Sequence, residues 1–210
     1  LKKIEGEMPS FDRMETDWSR ADDFDLVRAI QQNNLDAFTA LVERYQRSLI
    51  NFFYQRSWDR QMAEDCAQEG FLKMFTRLDS YEPKAKFTTF LFRVARNLWI
   101  DKLRAARSRP VRASLDAPIG SEDGYSLQEQ VASVSEGPVE ELEKDERRKS
   151  LRRAVDRLSE EQKLVVLLSE FQGLKYQEIG EILEIPVGTV KSRMHTAVER
   201  LREILEENEM

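Results

Sequence analysis

Apolar residues recur at helical spacing through most of the chain. From Asp23 onward Phe24, Leu26, Val27 and Ile30 fall on one face, and Phe38, Leu41, Val42, Tyr45, Leu49, Phe52 and Phe53 continue the pattern. Asn33-Asn34 divides this run into two helices, with Asp36 near the start of the second. Met62, Cys66, Phe71, Leu72, Phe75 and Leu78 predict a third helix over Arg60–Leu78. SYEPKAK, residues 80–86, reads as a loop around Pro83, and a fourth helix fits 87–107. Residues 108–138 carry three prolines and three glycines without sustained apolar spacing, as a linker with short local helices would. The periodicity returns at Val139, with helices expected over 139–157, 160–172, 175–183 and 186–206. Ser159 and Gln162 have the spacing of a capping box ahead of the second of these. No stretch alternates with the period of a strand. The expected fold is all-α: two small helical domains, 23–107 and 139–210, joined by a flexible linker over 108–138, with a loose tail over 1–22.

Composition sharpens this picture. Of 210 residues, 34% are charged, and only 8 are Gly and 6 Pro, which favours helix-rich domains over turn-rich sheets. No apolar run is long enough to cross a bilayer, so no membrane insertion is expected. The first residues lack the apolar core of a signal peptide. A single cysteine, Cys66, excludes an internal disulfide framework and suits the reducing cytoplasm; it is expected to be a small buried residue at a helix packing position. The net charge of −6 taken alone argues against nucleic acid, but its distribution argues the other way. From Lys84 to Arg112 the chain has nine basic residues against one acid, Asp101; from Ala113 to Glu146 it has ten acids against one base, Lys144.

The spacing in YQEIGEILEIPVGTV, 176–190, is that of a helix-turn-helix. Gly180 sits where two helices would cross closely, Glu184 falls at the turn, and Val190 anchors the second helix, with Ile179, Ile182, Leu183 and Ile185 on the inner faces. Pro186 suits the first turn of a helix, where its missing N–H costs nothing. Beyond it Lys191, Ser192, Arg193, His195 and Thr196 form a polar, basic outer face of the kind that reaches phosphates and base edges in a major groove. An ordinary amphipathic hairpin with solvated bases is the plainer alternative. Glu184 stands where positive φ is usual, a modest strain for a non-Gly residue. His195 is the only histidine and has no Cys or His partner at zinc spacing, so no metal site is expected.

FTTFLFRVARNLWIDKLR, 87–104, interleaves Phe87, Phe90, Phe92 and Trp99 with Arg93, Arg96, Lys102 and Arg104. Rings beside cations suit single-stranded nucleic acid, because bases stack on rings while the backbone meets positive charge. Most of these aromatics fit a core equally well; Trp99 and Asn97 fit it least. Upstream, DCAQEGFLKMF, 65–75, puts Asp65, Gln68, Glu69 and Lys73 on one polar stripe, which suits either a docking surface for a partner protein or a plainly solvated face. No nucleophile–base pair or phosphate-binding glycine loop is present, so the chain does not read as an enzyme, and neither a cofactor nor a small-molecule substrate is expected.

In this order and spacing, these stretches resemble the bacterial sigma-70 family of RNA polymerase sigma factors, in its small extracytoplasmic-function (ECF) group. The resemblance covers most of 24–206. It implies a factor that binds core RNA polymerase, takes it to promoters by reading −35 and −10 elements, and nucleates melting. Asp65, Gln68, Glu69 and Phe71 would grip the β′ clamp helices, and the second domain would meet the β flap. Asn97 and the 80–86 loop would capture a flipped base of the −10 strand, with Lys86, Arg93, Arg96, Trp99 and Lys102 nearby. Thr189, Lys191, Ser192, Arg193 and His195 would read the −35 duplex. Partners would be core polymerase and promoter DNA, in the cytoplasm, and the family admits an anti-sigma factor as a further partner. Two departures stand out: Phe90 replaces a frequent Trp, with packing expected to be kept, and Glu184 replaces a frequent Gly.

Magnitudes support a subunit over a freestanding opener of DNA. Unstacking costs on the order of 1.4 kcal/mol per step, so about a dozen pairs cost roughly 15 kcal/mol. One or two captured bases return about 1–3 kcal/mol each. As a free coil the linker spans about 30 Å, against roughly 100 Å when extended. Two elements some two dozen base pairs apart lie roughly 80 Å apart. The linker bridges them only if drawn out along a surface, expected to be a basic channel of the polymerase. A lone helix-turn-helix repressor would leave the aromatic helix and the polar stripe without a role.

Overall fold

The computed structural model describes residues 17–78, 81, 86–108 and 149–209. The chain is all-α. Among the described residues, four helices form the first domain: α1 (Asp23–Gln31), α2 (Leu35–Ser57), α3 (Arg60–Leu78) and α4 (Phe87–Ser108). The second contains α5 (149–156), α6 (Glu160–Val166), a π-helical turn (Leu167–Phe171), α7 (Tyr176–Leu183) and α8 (Val187–Glu209). The expected linker and the first part of the 139–157 helix lie outside the described residues, as do residues 1–16 and most of the 80–86 loop.

Local chemistry places the boundaries. Asp22 caps α1 by accepting from the Asp25 N–H, and Asn34 caps α2 by accepting from the Ala37 N–H. Between them Asn33 adopts φ 64°, the left-handed region that an Asn tolerates and a helix does not. Asp59 caps α3 through the Met62 N–H at 2.9 Å. Ser159 and Gln162 form the expected reciprocal capping box at α6. The 160–172 helix differs from expectation in its last turn. There the backbone widens to a π turn and ends at Gly173, φ +64°.

The expected loose tail is corrected at its end. Residues 17–22 are held against α2 by Arg44, whose guanidinium donates to the carbonyls of Ser19 and Ala21 and to the Asp23 carboxylate. The Tyr45 hydroxyl donates to the same carboxylate; burial, then that anion, raises its pKa strongly.

The first core gathers Leu26 and Ile30 from α1, Leu41, Leu49, Phe52 and Phe53 from α2, Cys66, Met74 and Leu78 from α3, and Leu91, Phe92 and Leu98 from α4. Cys66 is buried as expected, and burial pushes its thiol pKa up. Phe90 keeps aromatic packing, with its ring 4.5 Å from that of Tyr81. The second core uses Leu164, Val165, Leu168, Ile179, Ile182, Val190, Met194 and Ala197. The two domains pack together, α4 against α7 and α2 against the π turn, and their buried residues form one continuous cluster.

Candidate polymerase and nucleic-acid interfaces

The helix-turn-helix is built as its spacing requires. A Cβ on Gly180 would stand 3.0 Å from the Ile185 carbonyl oxygen, a tighter contact than most side chains make, so a larger residue here would push the turn back. Glu184 takes φ 58° and ends α7, and the Ile185 N–H returns to the Gly180 carbonyl at 3.0 Å. Pro186 immediately precedes α8, and its carbonyl accepts from Thr189 and Val190. Val190 is fully buried against the inner faces of α6 and α7.

That anchoring turns Lys191, Ser192 and His195 outward. His195 is 76% exposed and lies 3.3 Å from the Glu199 carboxylate. Ser192 donates its hydroxyl to the Thr189 carbonyl and keeps its oxygen lone pairs available. Thr189 and Arg193 are half-buried. Arg193 looks into a shallow recess between α8 and the start of α6, lined also by Ser159, Glu161, Gln162, Ser192 and Thr196. The expected set is therefore together on one helix, with three members fully presented and two at its edge.

On α4 the expected set divides. Lys86, Arg93, Arg96 and Asn97 share one side, as their partners show. Lys86 pairs with Glu178 at 2.7 Å, Arg93 donates to the Glu181 carbonyl at 2.8 Å, and Arg96 lies 3.9 Å from the Glu184 carboxylate. All three partners belong to α7 or its cap. Arg96 also reaches the Asn97 amide oxygen at 3.4 Å, a long contact. Lys102 points elsewhere, to Glu69 of α3 at 2.9 Å. Trp99 is corrected: at 6% exposure it is a core residue, with its ring 6.4 Å from Phe53 and the Arg56 guanidinium over it. It falls on the same helical stripe as Leu91, Phe92, Ala95 and Leu98, which turns it inward.

The α3 surface carries a second correction. Asp65 and Gln68 are exposed and Glu69 half-buried, but Phe71 is 6% exposed and belongs to the core. The side chains missed from sequence are Leu72, Phe75 and Met62, all exposed. Asp65, Gln68, Leu72 and Phe75 follow at intervals of three, four and three, so the polar stripe is really an amphipathic one. Leu72 is 66% exposed, and Phe75 lies edge-on to Phe38 at 4.8 Å. Glu69 sits between Lys73 and Lys102. The hydrogen bond from Lys102 first, and that from Lys73 next, hold its carboxyl below the usual carboxylate range.

Comparison with known proteins gives these surfaces a context. Residues 41–109 match the family model for sigma-70 region 2, and residues 148–201 that for sigma-70 region 4. The chain is 32% identical over 179 residues to the ECF RNA polymerase sigma factor SigW of Bacillus subtilis, an alignment covering 85% of this chain and 94% of the relative. It is 34% identical over 180 residues to the ECF sigma-E factor of Escherichia coli K12, covering 84% and 90%. Among solved structures, the sigma factor RpoE in complex with the anti-sigma factor NepR from Bartonella quintana superposes with a TM-score of 0.62 at 25% identity, covering 80% of this chain and 96% of that one. With both domains matched in order, the chain belongs to the ECF sigma factors, which bind core RNA polymerase and direct it to promoters.

Proposed function

We propose that the two domains divide promoter recognition between α4 and α8, and that the amphipathic stripe of α3 is the grip on the polymerase. The observation that carries this reading is the shared side of α4. Lys86, Arg93 and Arg96 supply positive charge there for a strand's phosphates, and Asn97 supplies amide donors and an acceptor for a base edge. Lys191, Ser192 and His195, with Thr189 and Arg193 at their edge, read the −35 duplex. Asp65, Gln68 and Glu69 meet the β′ clamp helices, with Leu72 and Phe75 as the apolar part of the contact. The second domain meets the β flap. The protein acts on the polymerase in the cytoplasm as a DNA-binding subunit without catalysis of its own. The Bartonella relative was solved with an anti-sigma factor, which supports a regulator of that kind here.

Run-off transcription with core polymerase tests the assignment of Asn97. Asn97→Ala lowers open-complex formation about ten- to a hundredfold, the value of one captured base, with core binding unchanged. Undiminished opening, or loss of core binding, would place the site elsewhere.

A further inference from the structure

Gln31, the last residue of α1, reaches the C-terminal end of α3. Its side-chain amide donates to the Leu78 carbonyl at 2.8 Å and to the Tyr81 carbonyl at 3.1 Å. Leu78 closes α3, so its carbonyl is one that a helix leaves without a partner in its own ladder. The Tyr81 N–H donates to the same oxygen at 3.0 Å. The main chain of Tyr81 is thus tied to the end of α3 twice, once directly and once through Gln31.

Tyr81 and Lys86 are the described residues between α3 and α4. The Tyr81 ring lies 4.5 Å from Phe90, Phe90 lies 6.1 Å from Phe87, and Phe87 lies 5.2 Å from Tyr45. Four rings therefore form a row at the N-terminal end of α4, and α1 holds both ends of it. Asp23 accepts from the Tyr45 hydroxyl, and Gln31 holds the Tyr81 carbonyl. Burial raises the Tyr81 pKa, and the Asp23 carboxylate adds to the rise.

This row ends on the side of α4 assigned to the −10 strand. Phe90, Arg93 and Asn97 follow at intervals of three and four. The Tyr81–Phe90 pair therefore stands two helical turns, about 10 Å along the axis, before Asn97. That is roughly the span of three stacked nucleotides at about 3.4 Å each. A strand is read by rings and an amide together only if their spacing is held to a fraction of an ångström. Gln31 is itself exposed, and it lies on neither the α3 stripe nor α8. Its two bonds act on Tyr81 and not on DNA or polymerase.

We infer that Gln31 is a positioning residue for −10 strand capture: its amide pins Tyr81 to the end of α3, so that the Tyr81–Phe90 ring pair keeps its place on the Asn97 side of α4. This rests on the assignment of α4 proposed above. The role needs a donor and not mere bulk. Glu has the same size but only accepts when ionised, and two carbonyls repel it; Lys brings donors and suits the C-terminal end of a helix.

The test uses holoenzyme on a promoter fragment selected by run-off transcription, with an abasic residue placed in turn at each non-template position of the −10 element. Permanganate reactivity reads opening. In the unaltered holoenzyme, removal of the captured base lowers opening about tenfold or more. Gln31→Ala and Gln31→Glu lower opening of the intact fragment about fivefold, the net worth of one hydrogen bond, and shrink the penalty for removing that base by the same factor. Gln31→Lys restores both, and core binding is unchanged in all three. Circular dichroism verifies that the helices are kept, and Gln31→Glu preserves the comparison if Gln31→Ala does not fold. A merely structural Gln31 would lower opening equally on intact and abasic fragments, and that result overturns the inference. So does normal opening by Gln31→Ala and Gln31→Glu, or equal opening by Gln31→Glu and Gln31→Lys. Asn97→Ala on the same fragments separates the two levels. If it removes the abasic penalty while the Gln31 variants keep it, the inference alone fails. If Asn97→Ala opens every fragment as the unaltered protein does, the assignment of α4 fails and the inference falls with it.

Discussion

Phe71 and Leu72 are adjacent in the chain and face opposite ways. Phe71 is packed in the first core, whereas Leu72 stands in solvent on the proposed polymerase stripe. Phe71→Ala therefore costs about 3–5 kcal/mol of stability, seen as a fall in the denaturant midpoint. Leu72→Ala leaves that midpoint within about 0.5 kcal/mol but weakens binding to core polymerase by roughly tenfold, if Leu72 is an anchor of that contact. Equal effects of the two on stability would contradict the orientation of α3. The reason that apolar spacing misplaces Leu72 is specific, whereas Phe71 was put on the surface only by the family resemblance. The buried side of α3 includes Ala63, Ala67 and Gly70, small residues that let α2 and α3 approach closely, and a Cβ at Gly70 would already lie 3.3 Å from Leu49. Periodicity weighted towards large side chains reads Met62, Leu72 and Phe75 as core and overlooks the small ones. The recurrence of Ala, Cys, Ala and Gly at 63, 66, 67 and 70 was the available signal.

Helix ends were the most legible elements, because capping is local chemistry. The Asn33-Asn34 break, the span of α3, the Ser159 box and the Glu184 turn all appear where side chains near in sequence require them. The π turn was not legible, since the buried run from Lys163 to Leu168 fits a regular helix equally well until its tertiary neighbours are known. Nor was the pairing between helices. Lys102, expected on the DNA side of α4, instead ties that helix to α3 through Glu69. The bond lowers the Glu69 pKa and raises that of Lys102. A depressed carboxylate pKa means stability that is present above the unfolded carboxylate value and lost as pH falls through the folded one. The raised lysine value means the same contribution is lost again as pH rises through it. Between these limits, Glu69→Gln destabilises the first domain by at most about 1 kcal/mol, because both side chains are partly solvated. Denaturant titrations at neutral pH and below the carboxylate range measure it; the difference vanishes in acid. A deficit that persists there would mean that Glu69 acts through packing instead.

At the scale of the whole molecule, the division into two domains was readable from composition, whereas their mutual contact was not. The contact joins residues such as Arg56 and Glu160 that are 104 positions apart, and no local pattern announces such a pair. The melting cost and the reach between promoter elements both assign the opening of DNA to the holoenzyme. The free chain accordingly binds promoter duplex weakly, and core polymerase raises affinity by at least a hundredfold at equal salt, measurable by fluorescence anisotropy. Tight, specific binding by the chain alone would contradict this. The asymmetry between α8 and α4 has a temporal consequence. The outer side of α8 stands open in the arrangement that covers α4, with His195 largely in solvent and Arg93 and Arg96 engaged. Under the proposed assignment, the duplex-reading side of α8 is free to meet DNA while the cations of α4 are still engaged by α7, so the two surfaces act in sequence and not together.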